Sequence, residues 1–273
     1  MNGRWFSFKD IIISNYGEYV LSGISNLETG SASRYEINYI DMDGVDYRDI
    51  TYNPRMFEIS GFIDAHDSLS MVLSKRKLIK SCSLKTPFRL KYSNREEVYS
   101  AECYFDKLPT FEKRIGWRLP FKLYVTIPKF WWQSEFEKNV DLHIYHDEVI
   151  SEFTLPAVFT SFVNSADVKN NGDDVAYPIF VVKCETPTID SKIIINNVTS
   201  DKQIYIDYTT SEGEIVTIDS YNKIATSNIN GNITGYVKLG SDFFFLDQGI
   251  NSIECQSEGN MVTLRYYENY LGA

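Results

Sequence analysis

Gly240-Ser241-Asp242-Phe243-Phe244-Phe245-Leu246-Asp247-Gln248-Gly249-Ile250-Asn251-Ser252-Ile253-Glu254-Cys255 leads through a Gly259-Asn260 turn into Met261-Val262-Thr263-Leu264-Arg265-Tyr266-Tyr267. Three short apolar runs are separated by turn residues. The spacing predicts strand, turn, strand, turn, strand, a segment that closes a sheet. Upstream the pattern repeats. Tyr177 to Cys184, Ile193 to Ile195, Gln203 to Asp207, Glu214 to Asp219 and Tyr236 to Leu239 are apolar or alternating, with Gly172-Asp173-Asp174 and Asn196-Asn197 among the turns between them. Short strands at this spacing, with no helical period, predict a β-sandwich over the second half.

The first half is also strand-rich. Trp5 to Phe8, Ile11 to Ile13 and Tyr19 to Leu21 predict short strands, and residues 26–33 read as a loop. Glu36 to Ile40 predicts a further strand, Asp41-Met42-Asp43-Gly44 a turn, and residues 45–54 a long hairpin or extended arm ending at Asn53-Pro54. Met56 to Ile63 is a strand by alternation. One helix is predicted from Asp67 or Ser68, either of which can cap it. Leu69, Val72, Leu73 and Arg76 mark its period, and Ile79 lies one turn further. Strands follow over residues 87–92, 98–105 and 117–125, and Pro128-Lys129-Phe130-Trp131-Trp132 ends the block. The charge-rich stretch after it places a domain boundary near residue 140, giving domains 1–140 and 141–273.

Bulk properties narrow the function. The 273 residues suffice for one or two domains with a real core. Aromatic residues make up 15% of the chain, which favours pleated sheets. The formal net charge of −10 is opposite to what phosphate binding needs, so no sequence-specific nucleic-acid partner is expected. No apolar run approaches the roughly 20 residues of a membrane span, and no membrane partner is expected. Cys82, Cys103, Cys184 and Cys255 are too far apart for a zinc knuckle or a redox pair. With no signal-peptide core at the N-terminus, they are expected to be reduced, partly buried thiols of a soluble protein made in a cytoplasm.

Catalytic signatures are scarce. His143 and His146, with Asp141, Asp147 and Glu148, would share a face only on a helix, and the segment has no helical period, so a solvated linker is the better reading. Asp41-Met42-Asp43-Gly44 brings its glycine too early for a calcium loop. No Gly-x-Ser-x-Gly elbow and no phosphate-binding glycine pattern occurs. Lys75-Arg76-Lys77 with Lys80 reads as a solvated helix end rather than an anion site. Phe130-Trp131-Trp132 is either a sugar-stacking surface or packing between domains. Asn197-Val198-Thr199 and Asn232-Ile233-Thr234 fit the glycosylation pattern but mean little without a secretory route. The expectation is no catalytic residue, no metal and no cofactor, which moves the weight to a structural or binding role.

The order of motifs resembles the distal tail (Dit-like) proteins of siphophages and related phage-tail-like particles. The resemblance rests on Phe6-Ser7-Phe8-Lys9-Asp10-Ile11 with Tyr16-Gly17, on Tyr52 to Ile63 followed by a single helix, on Leu119 to Val125 with Pro128 to Trp132, and on Gly172, Pro178, Ile218-Asp219 and the C-terminal F-x-x-L-x-x-G-x-N-x-I. The family often has a basic-glycine turn where this chain has Asp41-Met42-Asp43-Gly44. The resemblance implies a mainly β protein. Its first domain would be β-barrel-like with one α-helix and a protruding arm, and its second a galectin-like β-sandwich. It implies a non-enzymatic virion protein of the tail tip, assembled in the host cytoplasm as a homohexameric ring. The implied partners are the tail tube protein, the tail-tip or tail-associated lysin hub, and receptor-binding proteins. Residues 41–56 are expected to be the arm that reaches the next subunit, and an acidic channel would let DNA pass. The alternatives are a carbohydrate-binding β-sandwich acting at the host surface and a polysaccharide-degrading enzyme.

Overall fold

The computed structural model describes residues 3–28, 30–37, 46–145, 163–185, 192–257 and 260–272. The chain forms two compact units, residues 1–135 with 270–273, and residues 136–269.

The first unit contains β1 (Trp5–Phe8), β2 (Ile11–Ser14), β3 (Tyr19–Ser25), β4 (Ala32–Ile37), β5 (Asp46–Tyr52), β6 (Arg55–Asp64), α1 (Ser68–Ser81), β7 (Phe88–Ser93), β8 (Val98–Phe105), β9 (Thr110–Phe111), β10 (Arg118–Ile127) and β11 (Trp132–Ser134). Seven of these strands run in the order β8-β7-β1-β2-β3-β6-β10, and β10 returns to β8 through Val125↔Phe105 and Thr126↔Tyr104. The sheet is therefore a closed barrel, which removes the edges an open sheet would expose. β2 and β3 pair in parallel, and the other ring contacts are antiparallel. Strict alternation in β6 and β10 sends Phe57, Ile59, Ile63, Leu123 and Val125 inward. Aromatic rings fill the interior: Phe88 stacks on Phe105 at 4.1 Å and Phe6 on Tyr92 at 4.7 Å. Gly61 sits where β3 bulges between Leu21 and Gly23. A Cβ at position 61 would stand 2.6 Å from the Val20 carbonyl oxygen and 2.7 Å from the Phe121 ring, so the barrel wall admits only glycine there.

α1 is capped as the sequence predicts. The Asp67 carboxylate accepts a bond from the Ser70 amide at 2.7 Å, and the Asp67 amide donates to Ser70 Oγ at 3.4 Å, a capping box. The face it turns to the barrel is not the stripe that marks its period. Met71, Ser74 and Leu78 are buried, and the Tyr19 hydroxyl donates to the Ser74 carbonyl at 3.0 Å. Leu69, Val72 and Leu73 stay outside, 70%, 46% and 55% exposed. Apolar residues at helical spacing occur on both sides of this helix, and the side carrying Met71 and Leu78 is the one buried in the barrel core.

The second unit contains β12 (Lys138–Asp141), β13 (His143–Tyr145), β14 (Val163–Asn170), β15 (Ile179–Cys184), β16 (Ile193–Asn197), β17 (Lys202–Ile206), β18 (Ile215–Asp219), β19 (Ile224–Ser227), β20 (Gly231–Asn232), β21 (Gly249–Gln256) and β22 (Asn260–Tyr266). One sheet runs β12-β22-β15-β18-β19-β20 and the other β13-β14-β21-β16-β17. Phe180, Val182, Ile218 and Leu264 from the first share one core with Ile195, Ile204, Ile253 and Cys255 from the second, which makes a sandwich.

The C-terminal stretch differs from its sequence reading in two respects. Phe243 to Leu246 is not a ladder strand: Leu246 makes a single bridge with Ala176, and the Asp242 amide donates to the Gln203 carbonyl at 2.8 Å. The Asn251 side chain clamps its exit, accepting from the Asp247 amide at 3.0 Å and donating to the Asp247 carbonyl at 2.8 Å. β21 and β22, neighbours in the chain, do not pair with each other. β21 lies between β14 and β16, and β22 between β12 and β15. The stretch closes two sheets rather than one.

All four cysteines are buried and free. Burial pushes the Cys82 and Cys255 thiols up to about 12 and raises that of Cys103 further, so these groups stay protonated and unreactive.

Candidate assembly interface

The feature that no core explains is the hairpin of β4 and β5. Its strands pair through Ala32↔Tyr52, Ser33↔Thr51 and Arg34↔Ile50, shift register at a bulge, and continue through Glu36↔Tyr47 and Ile37↔Asp46. It forms a sheet of its own and pairs with no other described strand. A two-stranded ribbon is marginal by itself in water. This one leaves Tyr35 and Ile50 66% and 63% exposed. Two unpaired edges and exposed apolar side chains are the properties of a surface made to be covered.

The arm expected over residues 41–56 is therefore displaced. Its described strands begin at Ala32 and end at Tyr52, while Arg55 and Met56 belong to barrel strand β6. Pro54 has no amide hydrogen to extend a ladder, so the ribbon stops before it. The strand expected at Glu36 to Ile40 starts four residues earlier, and its end lies with the Asp41-Met42-Asp43-Gly44 turn outside the described residues.

The root of the arm is tied down. The Asn53 side-chain amide donates to Ser31 Oγ at 3.2 Å, Ser33 Oγ donates to Asn53 Oδ1 at 2.8 Å, and the Asn53 backbone amide donates to the Ser31 carbonyl at 2.9 Å. Tyr52 stacks on Phe130 at 4.5 Å with the rings 11° from parallel. The guanidinium of Arg55 lies 4.6 Å from the centre of the same ring. Arg55 is 2% exposed, and it donates from Nη1 to the Leu27 carbonyl at 3.1 Å and from Nη2 to the Leu271 carbonyl at 2.6 Å. Burial lowers its pKa, and the charge of Glu28 opposes that shift. Leu27, Phe130 and Leu271, distant from one another in the chain, meet at this one cation. Gly30 is required there, because a Cβ would stand 2.5 Å from the Phe130 ring. Phe130 itself adopts φ +68, a left-handed conformation that a bulky side chain keeps only when its surroundings impose it.

The other candidate groups have structural duties. Trp132 is fully buried against Phe57 and Tyr92 at 6.1 and 5.8 Å, so it offers no face to a sugar, and Phe130 is spent on the arm root. Lys77 pairs with Glu18 at 3.7 Å and Lys75 covers the Phe111 ring at 4.7 Å, so half of the basic cluster is engaged at the helix end. The buried Asn197 side chain accepts from the amides of Thr199 and Ser200, whereas Asn232 is exposed and accepts from the Thr234 amide at 2.9 Å. His143 lies on strand β13, and His146, Asp147 and Glu148 fall outside the described residues. Asp141 accepts from Thr263 Oγ1 at 2.8 Å. Among the described residues no group of three metal-ligating side chains converges, and no helix is long and apolar enough to cross a membrane.

Sequence reading missed Glu214. Its fully buried carboxylate accepts from the Tyr208 hydroxyl, from Ser227 Oγ and, at 2.8 Å, from the Ser211 amide. Burial disfavours the charge, but these donors together outweigh it and hold the carboxyl below its ordinary range. Every donor belongs to the sandwich itself, so the site is a structural anchor.

Residues 6–114 match the family described as phage tail protein RIFT-related domain, and residues 171–270 the family described as siphovirus-type tail component, C-terminal domain. No curated protein matches the chain. The fold is that of the Dit protein (gp 19.1) of phage SPP1, described as a paradigm of the hub adsorption apparatus in Gram-positive infecting phages: TM-score 0.72, 11% identity, 98% of this chain and 99% of that one covered. A chain of the phage P2 baseplate in its activated conformation with calcium aligns with TM-score 0.56 and 8% identity, covering 99% of both chains. The activated conformation with strontium gives 0.53 and 9%, covering 96% of this chain and 97% of the other. The two matched families lie in the same order as the barrel and the sandwich and together cover most of the chain. The protein belongs to the Dit-like distal tail family of siphophages, structural, non-enzymatic components of the phage tail and baseplate.

Proposed function

We propose that copies of this chain close into a homohexameric ring at the tip of the virion tail. The ring joins the tail tube protein to the tail-tip or tail-associated lysin hub, and receptor-binding proteins attach around it. In this reading residues 1–140 form the ring and residues 141–273 a galectin-like sandwich. Assembly takes place in the host cytoplasm, which agrees with four free thiols.

One observation carries the proposal: the hairpin of β4 and β5, anchored at its root, pairs with no other described strand and exposes Tyr35 and Ile50. An arm of this kind gives a head-to-tail contact, and such contacts close into rings when the rotation per subunit divides the circle. The hub named for the SPP1 relative and the baseplate of phage P2 are assemblies of the kind this architecture serves.

Negative-stain electron microscopy of the purified chain tests the reading. Six-fold ring particles are the expected result, and they should bind purified tail tube protein on one face. Fields containing only single, ringless particles at micromolar concentration would overturn it.

A further inference from the structure

Strand β3 outruns the strand beside it. β2 pairs with it only through Ile13↔Tyr19 and Ser14↔Val20 and then ends. On its other side β3 continues along β6 as far as Ser25↔Glu58, with Ser22 the extra residue of the bulge. Among the described residues no strand pairs with the β2 side of Leu21 to Ser25. The barrel wall has a notch there, and the edge of β3 offers its backbone groups to whatever segment lies in it.

Two hollows follow this edge. One, of about 210 Å³, lies between Leu21 to Ile24 and the side chains of Arg4, Asn15 and Arg95. The other, of about 420 Å³, shares Arg4 and Ile24 with it and runs on to Glu28. The guanidinium groups of Arg4 and Arg95 form no ion pair, hydrogen bond or ring contact with any other described residue. Glu28 is beyond ion-pair distance of Arg4, and Glu97, beside Arg95 in the chain, accepts from the Tyr99 hydroxyl instead. Two unneutralised cations on one small hollow repel each other until an anion comes between them, and the planar guanidinium fork suits a carboxylate.

Arg95 also holds its place at a cost. It adopts φ +101 in the turn between β7 and β8, a conformation that suits glycine. The turn is pinned around it: its amide donates to Ser93 Oγ at 3.3 Å, and Asn94 Oδ1 accepts from the Glu96 and Glu97 amides at 3.1 and 3.0 Å. Glycine would relieve the backbone, so the fold alone gives no reason for a cationic side chain at this point.

We propose that the notch is a docking site for an extended, acidic segment of another protein of the tail. The segment adds as a strand to the open edge of β3 at residues 21–25, and Arg4 and Arg95 clamp one of its carboxylates. The ring reading does not assign this site, and the test does not depend on whether the chain forms a ring.

The probe is a blocked, fluorescein-labelled peptide of alternating threonine and valine with one central glutamate. Anisotropy reads its binding to the full chain, and amide hydrogen exchange reads protection of the β3 edge. The peptide should bind and protect residues 21–25, and the same peptide with a central glutamine should bind about tenfold more weakly. Arg4→Gln should weaken the glutamate peptide to a similar degree. Arg95→Gly should weaken it as well while unfolding at a temperature no lower than the parent's. Absence of binding at millimolar peptide overturns the proposal, and binding without protection at residues 21–25 overturns strand addition. Equal binding of the two peptides, or unchanged binding to Arg95→Gly, overturns the clamp. A lower midpoint for Arg95→Gly makes the arginine structural and overturns its role here. Inorganic phosphate should leave residues 21–25 unprotected; protection by phosphate alone assigns the notch to a small free oxyanion and overturns the peptide.

Discussion

Arg55 shows how much one side chain can decide. Its guanidinium donates to two carbonyls from distant parts of the chain and lies on the ring that props the arm. Arg55→Met keeps the bulk but leaves the Leu27 and Leu271 carbonyls without their charged donor, at a cost of about 3 kcal/mol. Denaturant unfolding of the variant should show that loss. Amide hydrogen exchange should quicken at residues 27–31 and 52–53 while β7 and β8 keep their protection. Glu214 gives a second, pH-dependent prediction. Its pKa is lowered in the folded state, so its contribution to stability is present above the ordinary glutamate value of about 4.3 and lost as pH falls through the folded value. Glu58, Asp67 and Asp207 are shifted the same way, so the comparison must be with Glu214→Gln. The variant should be less stable at pH 7, and its gap to the parent should close as the pH drops towards 3. A gap that stays constant over that range contradicts the assignment. Neither residue was legible as buried, since arginine and glutamate usually lie at the surface and only a folded chain shows which are held inside. Trp132 shows the reverse: as a sequence motif it allowed a sugar platform, and its full burial removes that option.

At the scale of elements, local chemistry was readable and long-range pairing was not. The helix start was legible to within one residue, at Asp67 or Ser68, and the structure gives the cap to Asp67. Asp67→Ala removes the bond to the Ser70 amide and should lower the unfolding midpoint. The barrel strands were legible through alternation in Met56 to Ile63 and Leu119 to Val125. The close backbone approach at Gly61 shows only in the folded barrel, and Gly61→Ala should yield little folded protein because the added methyl meets the Val20 carbonyl oxygen. The C-terminal triplet misled because periodicity reports which face a residue takes and says nothing about which strand lies alongside. β21 and β22 alternate as a hairpin would, yet they belong to opposite sheets. The arm was legible as a polar insertion, but its start was not, since Ala32 and Ser33 carry no strand signal. Asn53→Ala should loosen the root, raising exchange across β4 and β5 while leaving β6 protected.

For the whole molecule, the sequence carried the architecture further than the assembly. A chain built almost wholly of strands, poor in catalytic signatures, and with two modules in a fixed order, pointed to a structural tail protein, and the family matches agree with that order. The interface was only half visible. Leu69, Val72 and Leu73 marked the period of the helix without telling which of its sides the barrel buries, and all three are exposed. The central claim is that the arm exists to be covered by another copy. Native mass spectrometry of the parent chain beside a chain whose residues 35–49 are replaced by a short Gly-Ser turn tests it most directly. The account predicts hexamers for the parent and folded monomers for the shortened chain; hexamers of equal abundance from both would contradict it.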